Sequence, residues 1–324
     1  MHILKTLQVL AVVVAIFLGV IVYATTMPTF QRELENSIGF EFDSSILQKH
    51  VRVLSEELIP RTCAKPAELQ NSANYIREEL LKWNPKTYLQ TYSYDNKSFS
   101  NVLSSFGPDT REVIIVGAHY DAFATLPGAD DNASGVAGLL ELARALSVTP
   151  VETNILLIAY ACEESPYFAG PGMGSYIHAN SVRDRDVQLM ISLEMIGYYT
   201  KSPDSQSFPF SALSLLYPKQ GNFIAVVGET LDTQASKLKS TINANTSLEA
   251  YSINAPASIR GIDFSDHRNY WSLNMPAVMV TDTAFYRNMN YHTDTDTYDT
   301  LDYEKMKEVV YGVYLHIVDL AKKN

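Results

Sequence analysis

The sequence predicts a single α/β domain: a central mixed, mostly parallel β-sheet flanked by helices on both faces, with an apolar helix at the N-terminus. Three observations carry that prediction. Short continuous apolar runs at residues 113–118, 155–162, 187–193, 223–227 and 277–281 read as buried strands. Stretches with helical periodicity alternate with them, at 134–146, 173–180, 231–245 and 302–322. Strands buried on both faces and interleaved with helices are the pattern of a parallel or mixed sheet. A hairpin signal precedes the runs, with 88–94 and 99–105 flanking Asp95-Asn96-Lys97, so the sheet should be mixed.

The elements can be taken in order from the N-terminus. Residues 7–24 are apolar except Gln8, with Lys5 in front and Pro28 behind. Such a run is about the shortest that spans a bilayer, and it exceeds the usual ~7–15 apolar residues of a cleaved signal. Residues 1–24 are therefore read first as an uncleaved signal-anchor that engages the lipid bilayer. The second reading is a removed signal peptide, for which Val22-Tyr23-Ala24 offers a small-residue cleavage site. In both cases the basic flank stays inside and the remainder is exported, either anchored outside the cytoplasm or released as a secreted or periplasmic protein. Residues 25–42 read as a tether, and 43–324 as one domain with no repeat or linker to divide it. Helical periodicity marks 44–58 and 67–83; in the second, Leu69, Ala73, Ile76 and Leu80 share one face.

Composition narrows the function. Forty-six per cent of the 324 residues are hydrophobic, ample for a core, and the net charge of −11 argues against a nucleic-acid partner. The only cysteines are Cys63 and Cys162. Two cysteines make no disulfide framework, although a single bridge in an oxidising compartment stays open; Cys162, ending a buried strand, is expected instead to pack as a free, small hydrophobe.

Chemistry-bearing residues fall at the strand ends. His119-Tyr120-Asp121 follows the first apolar run, Glu163-Glu164 the second and Glu194 the third. Asp131-Asn132-Ala133-Ser134-Gly135 leads into a helix, and Tyr291-His292-Thr293 lies in the loop beyond 277–281. Open α/β sheets bind ligands beyond the carboxyl ends of their strands, so one site can gather all five segments. Two imidazoles with several carboxylates form a mixed nitrogen and oxygen donor set that suits zinc or a similar divalent ion. Each segment also has a plain structural explanation. His119 can be satisfied by Asp121, and Asp131, Asn132 or Ser134 can cap the helix. The Glu pair can be solvated, and Glu194 can sit in a buried salt bridge. The metal reading needs fewer coincidences, because the separate explanations must otherwise all hold together.

In their order and spacing the HxD, DNxSG, EE and late YHTxxDT segments resemble the M28 family of co-catalytic zinc peptidases, over roughly residues 43–322. The resemblance implies two zinc ions, with another divalent metal as the alternative. His119 and Glu194 would hold one, Glu164 and His292 the other, and Asp131 would bridge them. Asp121 would orient His119, and Glu163 would be the general base. Aminopeptidases of this family often carry Asp where Glu194 stands, and the extra methylene displaces either the metal or the strand end. Ser265-Asp266-His267 resembles a further family element, in which His267 would donate to the developing oxyanion, or else be a structural histidine held by Asp266. His2, His50, His178 and His316 are read as bystanders. Residues 165–173 and 282–287 are expected near the substrate pocket.

The implied activity is removal of N-terminal residues from peptides by water attack assisted by Glu163. The alternatives are a glutaminyl cyclase-like acyltransferase, which shares scaffold and part of the ligand set, and a non-catalytic receptor or scaffold with this fold. Carboxypeptidase or endopeptidase activity, the preferred side chain and the oligomeric state are not set by the sequence.

Overall fold

A computed structural model describes residues 2–30, 33–34 and 39–322. The expected tether at 25–42 therefore falls partly outside the described residues. Helix α1 (His2–Thr26) projects from the body with its apolar length exposed, and is long and apolar enough to cross a membrane. Helix α2 (Ser44–Arg52) starts at Asp43, whose carboxylate accepts from the Ser45 N–H, and widens into a π-helical turn over Val53–Glu57. Helix α3 (Pro66–Leu81) begins with a proline whose missing N–H costs nothing at that position. It buries Leu69, Ala73, Ile76 and Leu80 on the expected face.

Strands β1 (Thr87–Tyr94) and β2 (Lys97–Phe106) form the hairpin. Asp95 and Asn96 both have positive φ, at 51° and 58°. This is the two-residue turn whose twist matches antiparallel strands. The apolar runs become β3 (Glu112–His119), β4 (Asn154–Tyr160), β5 (Asp186–Leu193), β6 (Ile224–Gly228) and β8 (Ala277–Thr281). A further strand, β7 (Ala250–Asn254), was not foreseen. All eight form one sheet in the order β1-β2-β4-β3-β5-β8-β6-β7. The central strands β4, β3, β5 and β8 are parallel; β2 and β6 join them antiparallel, and β7 is parallel to β6.

The pleat divides the core. Ile114, Val116, Ala118, Leu157 and Ile191 point into the larger cluster beneath α2, α3, α4 (Gly135–Leu146), α6 (Gln234–Asn245) and α8 (Tyr303–Leu320). Val113, Ile115, Leu156, Ile158 and Met190 point to the other face, against α5 (Gly174–Ser181) and α7 (His267–Trp271). The expected mixed sheet with helices on both faces is what the chain forms.

One expectation is corrected. Cys63 and Cys162 are not free: they form a disulfide with a Cα–Cα separation of 5.6 Å, although 99 residues part them in sequence. The loop before α3 returns to the end of β4, a meeting that no local pattern announces. The bridge also fits an oxidising compartment.

Candidate metal centre

The parallel strands end together at one edge of the sheet, and the candidate residues collect there. His119 is the last residue of β3, and Glu194 immediately follows β5. Asp131 lies in the turn before α4. The Nε2 of His119 stands 3.4 Å from one oxygen of Asp131 and 3.3 Å from Glu194. The other Asp131 oxygen is 3.1 Å from Nε2 of His292, which is also 3.1 Å from Glu164. Two groups of three donors thus share one carboxylate, His119, Asp131 and Glu194 on one side and Asp131, Glu164 and His292 on the other.

This arrangement fits a divalent metal. Ligands about 2.0–2.2 Å from a tetrahedral zinc stand roughly 3.3–3.6 Å apart, close to the donor spacings here. Nε2 of His119 is fully buried with no hydrogen-bond partner, an arrangement that costs stability unless a cation takes the lone pair. The donor charges point the same way. Burial, together with Glu194 and Glu164, pushes the Glu163 carboxyl well above its ordinary range. Burial and Asp131 push Glu164 up to about 7, and burial raises Glu194. Burial resists protonation of His292, yet its bonds to Asp131 and Glu164 raise it to about 10. His119 is raised likewise against its burial, by Glu194 and Glu163. Crowded carboxylates of this kind demand positive charge, and protons and metal ions compete for that role.

The surrounding shell was only partly foreseen. Asp121 comes within 3.5 Å of Nδ1 of His119, but its own backbone carbonyl is nearer, at 3.1 Å. Its carboxylate chiefly accepts the N–H groups of Glu163 and Glu164, each at 3.0 Å, and so fixes the Glu pair. Asn132 donates to the Leu193 carbonyl and accepts from Gly135 and Met195, tying the Asp131 turn to the end of β5 while capping α4. Asp296 accepts from the N–H groups of both Asp130 and Asp131. Fully buried Arg61 donates to the carbonyls of Tyr120, Leu54, Pro127 and Gly128. The His292 ring stacks on Phe123 at 4.1 Å and on Tyr291 at 3.8 Å.

The expected role of His267 does not match its position. Its Nε2 pairs with the Ile262 carbonyl at 2.8 Å, its ring packs against Trp271, and burial lowers its pKa to about 4. It is not among the residues lining the cavity. Ser265, two residues earlier, does reach the site and donates to Glu194 at 2.7 Å. His50, His178 and His316 are buried elsewhere, beside Tyr75, Tyr270 and Thr241.

A cavity of about 110 Å³ opens beside Glu194. Its walls are apolar and aromatic, with Phe223, Val227, Tyr251, Met279, Phe285 and Tyr291 among them. Of the segment expected at 282–287, Thr283, Ala284, Phe285 and Tyr286 line it. Asp282 turns inward to the N–H groups of Tyr198 and Ala284. Residues 165–173 are not among the lining residues, although Phe168 packs on Phe264, which is.

Residues 101–315 match the description of peptidase family M28. The chain belongs to that family. It is 47% identical over 276 residues to the uncharacterized protein YfbL of Escherichia coli, covering 82% of this chain and 85% of that one. It is 28% identical over 123 residues to aminopeptidase YwaD of Bacillus subtilis, but spans only 37% of this chain and 26% of that protein. Among solved structures, LapB from Legionella pneumophila superposes with a TM-score of 0.70 at 19% identity, over 94% of this chain and 81% of that one. The glutaminyl cyclase of Bacteroides thetaiotaomicron superposes at 0.63 and 19% identity, over 88% and 99%. At such identities both share the fold. Family membership and the donor set together make this chain a metallopeptidase of the M28 family.

Proposed function

We propose that this protein is an exported, membrane-anchored aminopeptidase that binds two zinc ions and releases N-terminal residues from peptides. The single observation that carries the two-ion reading is Asp131, whose two oxygens face His119 on one side and His292 on the other. His119 and Glu194 would complete one ion's protein ligands, and Glu164 and His292 the other's. Bound zinc supplies Lewis acidity, polarising the scissile carbonyl and lowering the pKa of water.

The chain's own groups do the rest. Glu163 is buried beside the two ligand sets without sharing their spacing, 4.0 Å from Nε2 of His119. From there, with bound cations favouring its carboxylate form, it can take a proton from water and return it to the leaving amine. Asp121 holds that base in place through the Glu163 N–H. Tyr291 stands in the field of Asp131, Glu164, Glu163 and Glu194 and lines the cavity; it takes over from His267 as the candidate donor to the developing oxyanion. The apolar cavity accepts the substrate's first side chain. Burying a Leu or Phe side chain contributes about 1.5–3 kcal/mol, so N-terminal Leu, Met or Phe should exceed Gly by roughly 10- to 100-fold in kcat/KM.

The anchored, exported reading rests on α1 and is supported by the disulfide. The glutaminyl cyclase alternative shares the fold, but the complete set of five donors favours hydrolysis. The test is turnover on free and N-blocked peptides with metal analysis of the same sample. Release of free N-terminal amino acids from unblocked peptides alone supports the proposal. Cyclisation of N-terminal glutamine without peptide-bond cleavage rejects it.

A further inference from the structure

The body carries an exposed apolar turn beside the point where α1 joins it. Residues 205–218 contain no charged side chain, and Lys219 follows them. Within this stretch a 3₁₀ turn, Ser211–Leu215, has no buried residue. Phe210 is 55% exposed and Leu215 85%, and Leu216 is exposed too. Monomeric surfaces scatter single apolar residues, but three clustered on one uncharged turn ask for a partner.

The neighbourhood says which partner. The end of α1 is bonded to α6 and to the edge of the sheet: Lys239 on α6 donates to the carbonyls of Thr26 and Met27, and Ser252 on β7 donates to Thr26. The carbonyl of the same Ser252 accepts from the hydroxyl of Tyr217 at 2.8 Å. Thr26, Met27, Leu216 and Tyr217 also line one surface cavity. The anchor's last turn and the apolar loop are therefore joined through a single strand residue.

If α1 lies in a bilayer, Thr26 marks the membrane surface, and whatever lies next to Thr26 meets the same layer. From this geometry, and resting on the anchored reading above, we infer that loop 208–217 is a second membrane contact. It seats Phe210, Leu215 and Leu216 in the boundary between headgroups and acyl chains. Aromatic and aliphatic side chains on an uncharged turn are what that layer accepts. The opposite side of the loop faces the catalytic cavity, which Phe208, Pro209, Leu213 and Tyr217 help to enclose. One wall of the substrate pocket thus rests on the lipid surface, and peptides held near that surface reach the site most directly.

The test uses the full chain in phosphatidylcholine–phosphatidylglycerol vesicles. Because Cys63 and Cys162 are bonded to each other, a Leu215→Cys variant offers one free thiol for a nitrobenzoxadiazole label. Tyr88→Cys serves as the control, since Tyr88 is exposed on β1, at the opposite edge of the sheet from β7. The expected result is blue-shifted emission at position 215 and severalfold quenching by doxyl-labelled lipid, with neither at position 88. Ala212→Cys, on the same turn, should behave like position 215 and guards against a local effect of the first substitution. If the chain floats with the vesicles but positions 212 and 215 respond like position 88, the anchor stands and the inference is overturned. If the chain has lost its N-terminal segment and does not float, the anchored reading fails and the inference with it.

Discussion

Replacing Glu163 and Glu164 one at a time by glutamine separates two neighbours that share a turn but not a role. The Glu164 carboxylate is 3.1 Å from Nε2 of His292, the same spacing that Asp131 keeps from that ring. Glu163 stands 4.0 Å from His119, outside the 3.3–3.4 Å that relate His119 to Glu194 and Asp131. Glu163→Gln therefore leaves both groups of three donors intact. The backbone bonds to Asp121 survive in either variant, so the turn itself should keep its shape. Losing a positioned general base costs about 10²–10⁴-fold in kcat, or roughly 2.7–5.5 kcal/mol of transition-state stabilisation. Glu164→Gln exchanges an anionic ligand for a neutral amide, which should weaken metal binding at the His292 side and leave turnover partly recoverable with excess zinc. The assay pairs kcat on leucine p-nitroanilide with metal content after dialysis, measured by inductively coupled plasma mass spectrometry. Full metal with turnover unresponsive to added zinc is expected for Glu163→Gln. Metal loss in Glu163→Gln with a full complement in Glu164→Gln would refute the reasoning by reversing the roles. Normal metal and normal turnover in both would move the chemistry elsewhere.

Three further outcomes follow from the geometry. Ser265→Ala removes the hydroxyl bonded to Glu194 and should weaken metal affinity about 10–100-fold, read by chelator competition, while kcat at saturating zinc changes little. A Cys63→Ser, Cys162→Ser double variant should lose about 2–5 kcal/mol of stability, seen as a lower urea midpoint; an unchanged midpoint counts against a native bridge. The metal-stripped protein should lose stability as pH rises. Glu164 at about 7 and His292 at about 10 both lie above their ordinary values of 4.5 and 6.5. Their protonated forms are therefore favoured by folding, an advantage complete below the ordinary values and lost as pH climbs through the folded ones. Melting temperature of the stripped protein should fall between about pH 6 and 9, with zinc restoring more at the alkaline end. A flat profile would contradict the donor crowding.

Much of the architecture was legible because it is written locally. The apolar runs gave the central strands, the α3 face repeats at helical spacing, and strand ends told where His119, Glu163-Glu164 and Glu194 would meet. Strand β7 escaped because it is a five-residue edge strand in which Tyr251 and Ile253 are only half-buried, so its pattern never becomes continuous. Helix α7, at five residues, is too short to show a period. The disulfide depends on a meeting across 99 residues. In the site, the donors were readable as residue types, whereas their supports were not. Asp121 beside His119 suggested an orienting carboxylate, but only the folded chain shows it bonded to the backbone of the Glu pair. Ser265 and His267 differ by two positions, and the local sequence does not tell which one faces Glu194. Arg61 carries no motif at all.

That arginine settles a question of charge balance. Its guanidinium lies within the field of Asp296, Asp121 and Asp131, and even with burial lowering it to about 10 it stays a cation at neutral pH. Yet every one of its hydrogen-bonded partners is a backbone carbonyl. A lysine reaching the same carboxylates directly could occupy the metal's place when zinc is scarce. Arg61 cannot, because its nitrogens are committed to four backbone carbonyls on three segments of the scaffold. The protein thus keeps one permanent positive charge built into its foundations and leaves the exchangeable one to the ion.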